Sequence, residues 1–388
     1  MRELTESAIT ILDRLVSFNT VSNRSNRELI DYIKDYLSEL GVESTIIPDA
    51  TGQKANLFAT IGDPTVPGVV LSGHTDVVPV EGQVWQREPF AVTRENGRLY
   101  GRGTSDMKGF VACAMAIVPQ LKAAELKMPV HLAFSYDEEV GCLGVHSLIE
   151  HMTNSVAAPV AALIGEPSNM TVVDSHKGSR GILTTITGKA VHSSRVDLGT
   201  SAVLGAMKIV QQMETCSDEL EAQSDPSLRF ELPYSTINVG VIRGGTARNL
   251  VPGDCVLQWE IRGTRPDITD STQARITKFI DQSVLPDMQQ RFEGSRIETS
   301  IVYDVPPLVA IPGSEAETLA KRFAGTNETF AVNYGTEAGF FAMADVPAVI
   351  CGPGSDTEAH IADEWIAIEQ IDKCMTFLEA LVAHVQAA

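Results

Sequence analysis

Short apolar segments that alternate with helical segments constrain the fold of this chain more than any other feature. The segments 56–61, 68–72 and 130–135 are short and largely apolar, which is typical of strands, whereas 27–40 and 108–124 have the pattern of helices. Strands without regular polar alternation are buried on both faces. The first half of the chain therefore predicts an α/β domain, in which a mostly parallel sheet carries helices on both faces.

A different order of elements occupies the middle of the chain. Strand, helix, strand, strand, helix and strand patterns follow one another between 181 and 304, which is the ferredoxin-like α+β order. The α/β pattern returns after a Pro-Pro pair. We therefore predict a discontinuous catalytic domain, 1–177 and 305–388, interrupted by an inserted ferredoxin-like domain, 178–304.

Composition narrows the classes of function. A length of 388 residues is compatible with two domains, and a net charge of −20 argues against nucleic acid or an anionic membrane as partner. No apolar stretch approaches the ~20 residues of a membrane span, and the N-terminus has the pattern of an amphipathic helix rather than of a secretion signal. Six cysteines without a Cys-x-x-Cys pair predict reduced thiols and a cytoplasmic protein.

Ionisable residues follow several of the apolar segments. In VVLSGHTDVVPV, His74 and Asp76 are two residues apart, so an extended chain presents both on one face. A metal-bound histidine usually donates its other ring N–H to a carboxylate, and Asp76 fits that need. A hydrogen-bonded His–Asp pair without a metal is the alternative.

Two further segments add carboxylates. In GRGTSDMKG, glycines let the backbone turn so that Asp106 precedes a helix, where it is either a metal ligand or an N-cap. In HLAFSYDEEVG, the adjacent acids Asp137, Glu138 and Glu139 follow an apolar strand. Crowded negative charges require compensation, which a divalent metal would supply. A solvated acidic turn is the alternative.

The set is completed by Glu166, which ends another apolar segment, and by His360 in a glycine-rich loop far downstream. Open parallel sheets bind ligands at the carboxyl ends of their strands, so we expect these segments to converge. Nitrogen and oxygen ligands without a thiolate cluster favour zinc, cobalt or manganese. The candidates exceed the needs of one tetrahedral ion and suit two ions ~3.5–4 Å apart.

The motifs SGHTDVVPV and GRGTSDMKG, followed by DEE, resemble the two-zinc peptidase and deacylase family over nearly the whole chain. The resemblance implies a hydrolase with two bound metal ions. It implies that Asp106 bridges the two ions, and that the ligands are His74, Asp106, Glu139, Glu166 and His360.

The same resemblance implies the other roles in the reaction. Asp76 would orient His74, and Glu138 would be the general base for a metal-bound hydroxide. His192 in GKAVHSSR would stabilise the developing oxyanion. In dimeric members this histidine comes from the partner subunit, which implies a homodimer built through the inserted domain, acting also as a lid. The residues implied at the substrate are Lys177, Arg248, Asn249, Arg262 and Glu337. For Glu337 the alternative is that it holds the nearby loop.

Finer segments, IGEPSNMTVVDSHKG and CGPGSDTEAHIADEW, resemble the branch whose substrates are N-acetylated amino acids such as acetylornithine. The expected reaction is therefore amide hydrolysis of a small N-acyl amino acid. A succinyl-diaminopimelate desuccinylase, a dipeptidase or carboxypeptidase, and a non-catalytic binding protein on the same scaffold are the alternatives.

Overall fold

The computed structural model describes residues 2–387. Its contacts divide the chain into two compact units. The first unit extends to Ser175 and resumes over Ala310–Phe330 and from Thr336 onward, and the second unit comprises His176–Val309 and Ala331–Gly335.

An eight-stranded sheet dominates the first part of the fold. The strands of this part are β1 Ser44–Pro48, β2 Ala55–Ile61, β3 Val69–His74, β4 Thr93–Glu95, β5 Arg98–Tyr100, β6 Val130–Ser135, β7 Ala161–Pro167 and β8 Val173–His176. Those near the C-terminus are β13 Phe330–Val332, β14 Ala348–Gly352 and β15 Trp365–Ala367. The order in the large sheet is β1-β2-β6-β3-β7-β14-β8-β13, and β6, β3, β7 and β14 form its parallel centre.

Helices pack against this sheet. They are α1 Arg2–Val16, α2 Arg27–Glu39, α3 Lys108–Ala116, α4 Val118–Ala123, α5 Val145–Ser155, α9 Glu315–Ala324, α10 Ala338–Met343 and α11 Ile368–Ala387. The strands β3 and β6 are buried along their whole length, as continuous apolar segments require. One contiguous hydrophobic core joins the inner faces of α1, α2, α3 and α11 to the sheet.

The second unit contains a four-stranded antiparallel sheet with helices on one face. Its elements are β9 Gly178–Thr187, α6 Ala202–Ala222, β10 Thr236–Gly244, β11 Asp254–Gly263, α7 Pro266–Phe279, α8 Leu285–Arg291 and β12 Arg296–Val305. The order β10-β11-β9-β12 is that of a ferredoxin-like fold. Alternate residues of β9 and β11, such as Ile182, Leu257 and Trp259, face a separate core formed with the helices.

The predicted fold class is confirmed, because the mixed sheet, its covering helices and the inserted α+β unit are all present. One predicted element was wrong. The segment 108–124, predicted as one helix, is two helices that meet at Ile117. Pro119 lies in the first turn of α4. Proline has no backbone N–H and clashes in a helix interior but is tolerated in a first turn, so a new helix begins just before Pro119. Among residues 2–387, no helix is long and apolar enough to span a membrane.

Candidate metal centre

Five segments of the first unit bring ionisable side chains to the carboxyl edge of the parallel strands. His74 is the last residue of β3, and Glu166 lies near the end of β7. Glu138 and Glu139 follow β6, while His360 lies in the loop after β14. These four strands are neighbours in the sheet, so their ends deliver the side chains to one place.

The fifth segment is the turn that precedes α3 and carries Asp106. The peptide bond between Asp106 and Met107 is cis. The helix that follows packs closely on the sheet, because a β-carbon at Gly165 would lie only 1.9 Å from the ring of Phe110. Glycine beside Glu166 therefore lets α3 approach the strand that presents that carboxylate.

Asp106 lies between two imidazoles. Its Oδ1 is 3.0 Å from Nε2 of His74, and its Oδ2 is 3.1 Å from Nε2 of His360. Glu166 lies 3.7 Å from the first imidazole and Glu139 lies 3.1 Å from the second. Asp106 therefore directs one oxygen toward each of two histidine–carboxylate pairs. A carboxylate that bridges two metal ions requires this arrangement.

Hydrogen bonding sets the tautomer of His74. Its Nδ1 lies 2.9 Å from the main-chain oxygen of Asp76, which can only accept, so Nδ1 carries the proton and Nε2 is left for a ligand. The Asp76 carboxylate is farther away, at 3.6 Å. The main chain of Asp76 is thus the nearer partner of the imidazole, although the sequence suggested its carboxylate.

The Asp76 carboxylate instead organises the acidic turn. It accepts hydrogen bonds from the hydroxyl of Ser22 at 2.7 Å and from the amides of Glu138 and Glu139 at 3.1 and 3.3 Å. The neighbouring Asp137 pairs with Lys54 at 2.5 Å. These contacts hold both glutamates, so the acidic turn is built into the fold.

The charges of the cluster are poorly balanced. Burial and neighbouring carboxylates raise the pKa of Glu138 and of Glu166 well above the usual range. Burial and Asp106 raise the pKa of Glu139 to about 7. Hydrogen bonds to Asp106 and Glu139 raise the pKa of His360 to about 11. The hydrogen bond to Asp106 also raises the pKa of His74, although burial acts in the opposite direction. Bound protons therefore reduce the repulsion between the carboxylates in this structure, and bound cations would reduce the same repulsion.

The donor set therefore fits divalent metal ions. Ligand atoms of His74, Asp106 and Glu139 lie within 4.8 Å of one another, and so do those of His74, Glu138 and Glu166. All are nitrogen or carboxylate oxygen, which suits zinc, cobalt or manganese. The assignment of individual ligands stays a prediction.

Glu337, predicted at the substrate, lies in the first unit and is buried with 1% of its surface exposed. Its Oε2 is 3.5 Å from the hydroxyl of Ser72, and its Oε1 is buried without a hydrogen-bond partner. Burial raises its pKa to about 7. Glu337 therefore lies in the protein interior in this structure, and its role at the substrate stays a prediction.

The other predicted functional residues lie in the second unit. His192 is exposed, and its Nδ1 lies 2.8 Å from the hydroxyl of Ser194. Arg248 and Asn249 are exposed, and the main-chain oxygen of Asn249 accepts a hydrogen bond from Ser193 at 2.9 Å. His192 and Asn249 therefore lie on neighbouring segments.

Lys177 and Arg262 form a second group in this unit. Lys177 is 2% exposed and donates to the main-chain oxygen of Tyr234 at 2.8 Å. Burial, and then the charge of Arg262, lowers the pKa of Lys177 to about 8. Arg262 pairs with Glu260 at 3.0 Å. Both cations are therefore partly engaged by the protein.

Sequence reasoning missed the residues that support the cluster. Ser22 and Lys54 hold the acidic turn, and Glu364 accepts three main-chain hydrogen bonds from the turn of Asp106. Ser22 and Lys54 carry no motif signal. Glu364 and its partner Arg102 do lie in quoted motifs, IADEW and GRGTSD.

Comparisons with known proteins show similarity along most of the chain. The family model described as peptidase family M20/M25/M40 matches residues 70–384. The acetylornithine deacetylase of Pasteurella multocida is 33% identical over 384 residues, which cover 97% of this chain and 96% of that protein.

Solved structures share the fold. A tripeptidase from Staphylococcus aureus superposes with a TM-score of 0.78 at 19% identity, covering 99% of both chains. A dinuclear metal-binding peptidase of the M20 family from Bacillus subtilis superposes with a TM-score of 0.69 at 16% identity, covering 100% of this chain and 99% of that one. The chain belongs to peptidase family M20/M25/M40 and is a metal-dependent hydrolase.

Proposed function

We propose that this hydrolase uses two metal ions to convert N2-acetyl-L-ornithine to L-ornithine and acetate. The observation that carries the two-metal proposal is the position of Asp106, 3.0 Å from His74 and 3.1 Å from His360. The choice of substrate is supported by the near full-length similarity to an acetylornithine deacetylase. The product would supply arginine biosynthesis.

We assign the ligands as the family pattern implies. His74 and Glu166 would hold one ion, Glu139 and His360 the other, and Asp106 both. The donor types favour zinc, with cobalt or manganese as alternatives. When bound, the ions polarise the amide carbonyl and acidify a water molecule.

The side chains of the chain handle the protons. Glu138, which is adjacent to the proposed ligand Glu139, takes a proton from the attacking water and delivers it to the leaving amine. Asp76 fixes Glu138 through its main-chain amide at 3.1 Å. His192 would donate to the oxyanion of the tetrahedral intermediate.

The substrate carboxylate and side chain require recognition by charged groups. Arginine binds a carboxylate through two parallel N–H donors, so Arg262 and Arg248 are the proposed contacts. Asn249 and Lys177 complete the proposed set. Glu337 would join it only if its surroundings open, because it is 1% exposed in this structure.

We further propose that the second unit is a lid and dimerisation domain. Its sheet ends in the edge strand β10, where Ile242 is 46% exposed. Leu204 and Met207 on α6 are 65% and 50% exposed. An edge strand and exposed apolar side chains are typical of an interface between copies. Sedimentation of the wild type and of the L204E/M207E double variant would test the homodimer, which we expect only in the wild type.

A cytoplasmic location forms part of the proposal. All six cysteines are unpaired and buried. Free thiols of this kind persist in reducing compartments.

The deciding experiment measures ornithine release from N-acetylornithine by metal-free protein reconstituted with zinc or cobalt. N-succinyl-diaminopimelate and unblocked dipeptides are assayed alongside. Chelator-sensitive turnover of the acetyl substrate alone is the expected result. Preference for a succinyl substrate or a dipeptide would replace the proposed substrate but keep the two-metal hydrolase, and binding of two metals without any turnover would favour a non-catalytic protein.

A further inference from the structure

One buried carboxylate connects two of the segments that carry candidate ligands. Glu364 has 0% of its surface exposed. Its Oε1 accepts hydrogen bonds from the amides of Gly103 at 3.0 Å, Ser105 at 2.9 Å and Asp106 at 3.1 Å. Its Oε2 accepts from Arg102 at 2.6 Å. Both carboxylate oxygens are therefore used by one turn.

The main chain brings Glu364 to this turn. Strand β15, which starts at Trp365, pairs with β5 so that Trp365 is opposite Tyr100. The amide of Gly101 also donates to the main-chain oxygen of Glu364 at 2.9 Å. The turn itself depends on glycine, since Gly103 has a φ of 86°.

The two connected segments both face the cluster. Asp106, whose amide donates to Glu364, is the carboxylate that lies between the two imidazoles. His360 is four residues before Glu364 and has a left-handed φ of 63°. Its main-chain oxygen accepts a hydrogen bond from Gln83 at 2.7 Å. A shift of the Glu364 carboxylate would therefore disturb Asp106 directly and the His360 loop through the chain.

We propose that Glu364 is a positioning residue that holds Asp106 and His360 in the geometry needed to bind metal. This inference rests on the proposed function, because it requires the cluster to be a metal centre. Residues that fix the orientation of ligands lower the cost of ordering them when the ion binds, and their loss weakens metal affinity by about 10–100-fold.

A purely structural role would predict a different outcome. Glu364 and Arg102 form a buried ion pair, and breaking such a pair destabilises a protein whatever lies nearby. Glu317 provides a matched control in the same unit. Its carboxylate is largely buried, accepts from the amide of Gly313 at 2.6 Å and pairs with Lys321. It lies on α9, which carries no candidate ligand.

The experiment compares the wild type, E364Q, E364D and E317Q as metal-free proteins. Zinc affinity is measured by titration in a chelator buffer, the unfolding temperature is measured on the same samples, and kcat and KM are measured at saturating zinc. An amide cannot accept from both Arg102 and the turn, so E364Q should bind zinc about 10–100-fold more weakly. E317Q should lose stability but keep the wild-type affinity.

E364D protects the test against a folding failure, because it keeps the charge beside Arg102 while its shorter side chain withdraws from the amides of the turn. We expect weaker zinc binding and a lower kcat at unchanged KM, with an unfolding temperature closer to that of the wild type than E364Q shows. Wild-type zinc affinity in E364D or E364Q, or an equal loss in E317Q, would overturn the inference. A wild-type protein that binds no zinc would overturn the proposed function as well.

Discussion

The metal cluster of the first unit and the His192 segment of the second unit are constructed in opposite ways. His74 is 1% exposed, its Nε2 lies 3.0 Å from the Asp106 carboxylate, and the carboxylates of Asp76 and Glu166 lie 3.6 and 3.7 Å from its ring. His192 is exposed, and among residues 2–387 the hydrogen bonds of its ring are to Ser194, two residues away. The cluster is therefore positioned by the folded core, whereas the orientation of His192 depends on a local turn. We infer that the first region is preorganised and that the second can adjust to a substrate.

The largest effect should come from replacing Glu138, the proposed base, in the preorganised region. In E138A the ligands remain in place, so we expect normal metal content and a kcat lowered by about 10²–10⁴-fold. Elemental analysis and steady-state kinetics at saturating metal measure the two quantities. Turnover at the wild-type rate would remove Glu138 from the mechanism, and loss of metal would make it a ligand instead.

Replacing the exposed histidine should separate chemistry from stability. For H192A we expect kcat lowered by about 10²–10³-fold, because the proposed donor to the oxyanion is lost. The unfolding temperature and metal content should stay at wild-type values, since the ring is exposed and hydrogen-bonds to the nearby Ser194. S194A, which frees the ring without removing it, is the matched variant and should lose less activity. Equal activity of H192A and wild type would end the proposed role.

The pH dependence of stability should distinguish metal-free from metal-loaded protein. The folded pKa values of Glu139, about 7, and His360, about 11, are raised above the ordinary values of 4.5 and 6.5. Between the ordinary and the raised pKa values of these two groups, the folded metal-free protein binds more protons than the unfolded chain. Its free energy of unfolding therefore falls as pH rises.

Zinc replaces those protons, so the gain in unfolding temperature on adding zinc should be larger at about pH 8 than at about pH 5.5. Differential scanning calorimetry at both pH values provides the measurement. A variant without His360, H360A, should reduce this difference. A zinc effect that is independent of pH would contradict the assignment of these groups as ligands.

The smallest effect should arise at Glu337, in the interior of the preorganised unit. Because its folded pKa of about 7 exceeds the ordinary 4.5, the wild type loses stability as pH rises through that window. Glutamine has the same shape without the charge. We therefore expect E337Q to unfold at a higher temperature than wild type at about pH 8, with a smaller gain at about pH 5.

The same variant tests substrate recognition. A KM for acetylornithine within about threefold of wild type is expected from an interior residue, whereas a loss of affinity limited to substrates with a side-chain amine would restore Glu337 to the substrate site. E337L, which cannot hydrogen-bond to Ser72, separates lost charge from lost polarity.

Local patterns were sufficient for the fold class. Apolar segments that alternate with helical segments predicted the mostly parallel sheet, and the βαββαβ order predicted the ferredoxin-like unit, whose sheet has the order β10-β11-β9-β12 in the structure. The break in the helix 108–124 could also have been predicted, because Pro119 cannot occupy a helix interior. Each of these inferences depends only on residues that are close together along the chain.

The sequence by itself determined the chemistry that is available: two histidines and a set of carboxylates at strand ends, without a cluster of thiols. Only the tertiary structure decided that the main-chain oxygen of Asp76 orients His74, that Glu337 is buried, and that Glu364 connects two ligand segments. The physical reason is the separation along the chain. Glu364 and Asp106 are 258 residues apart, so their contact depends on the pairing of β15 with β5 and leaves no periodic pattern in either segment.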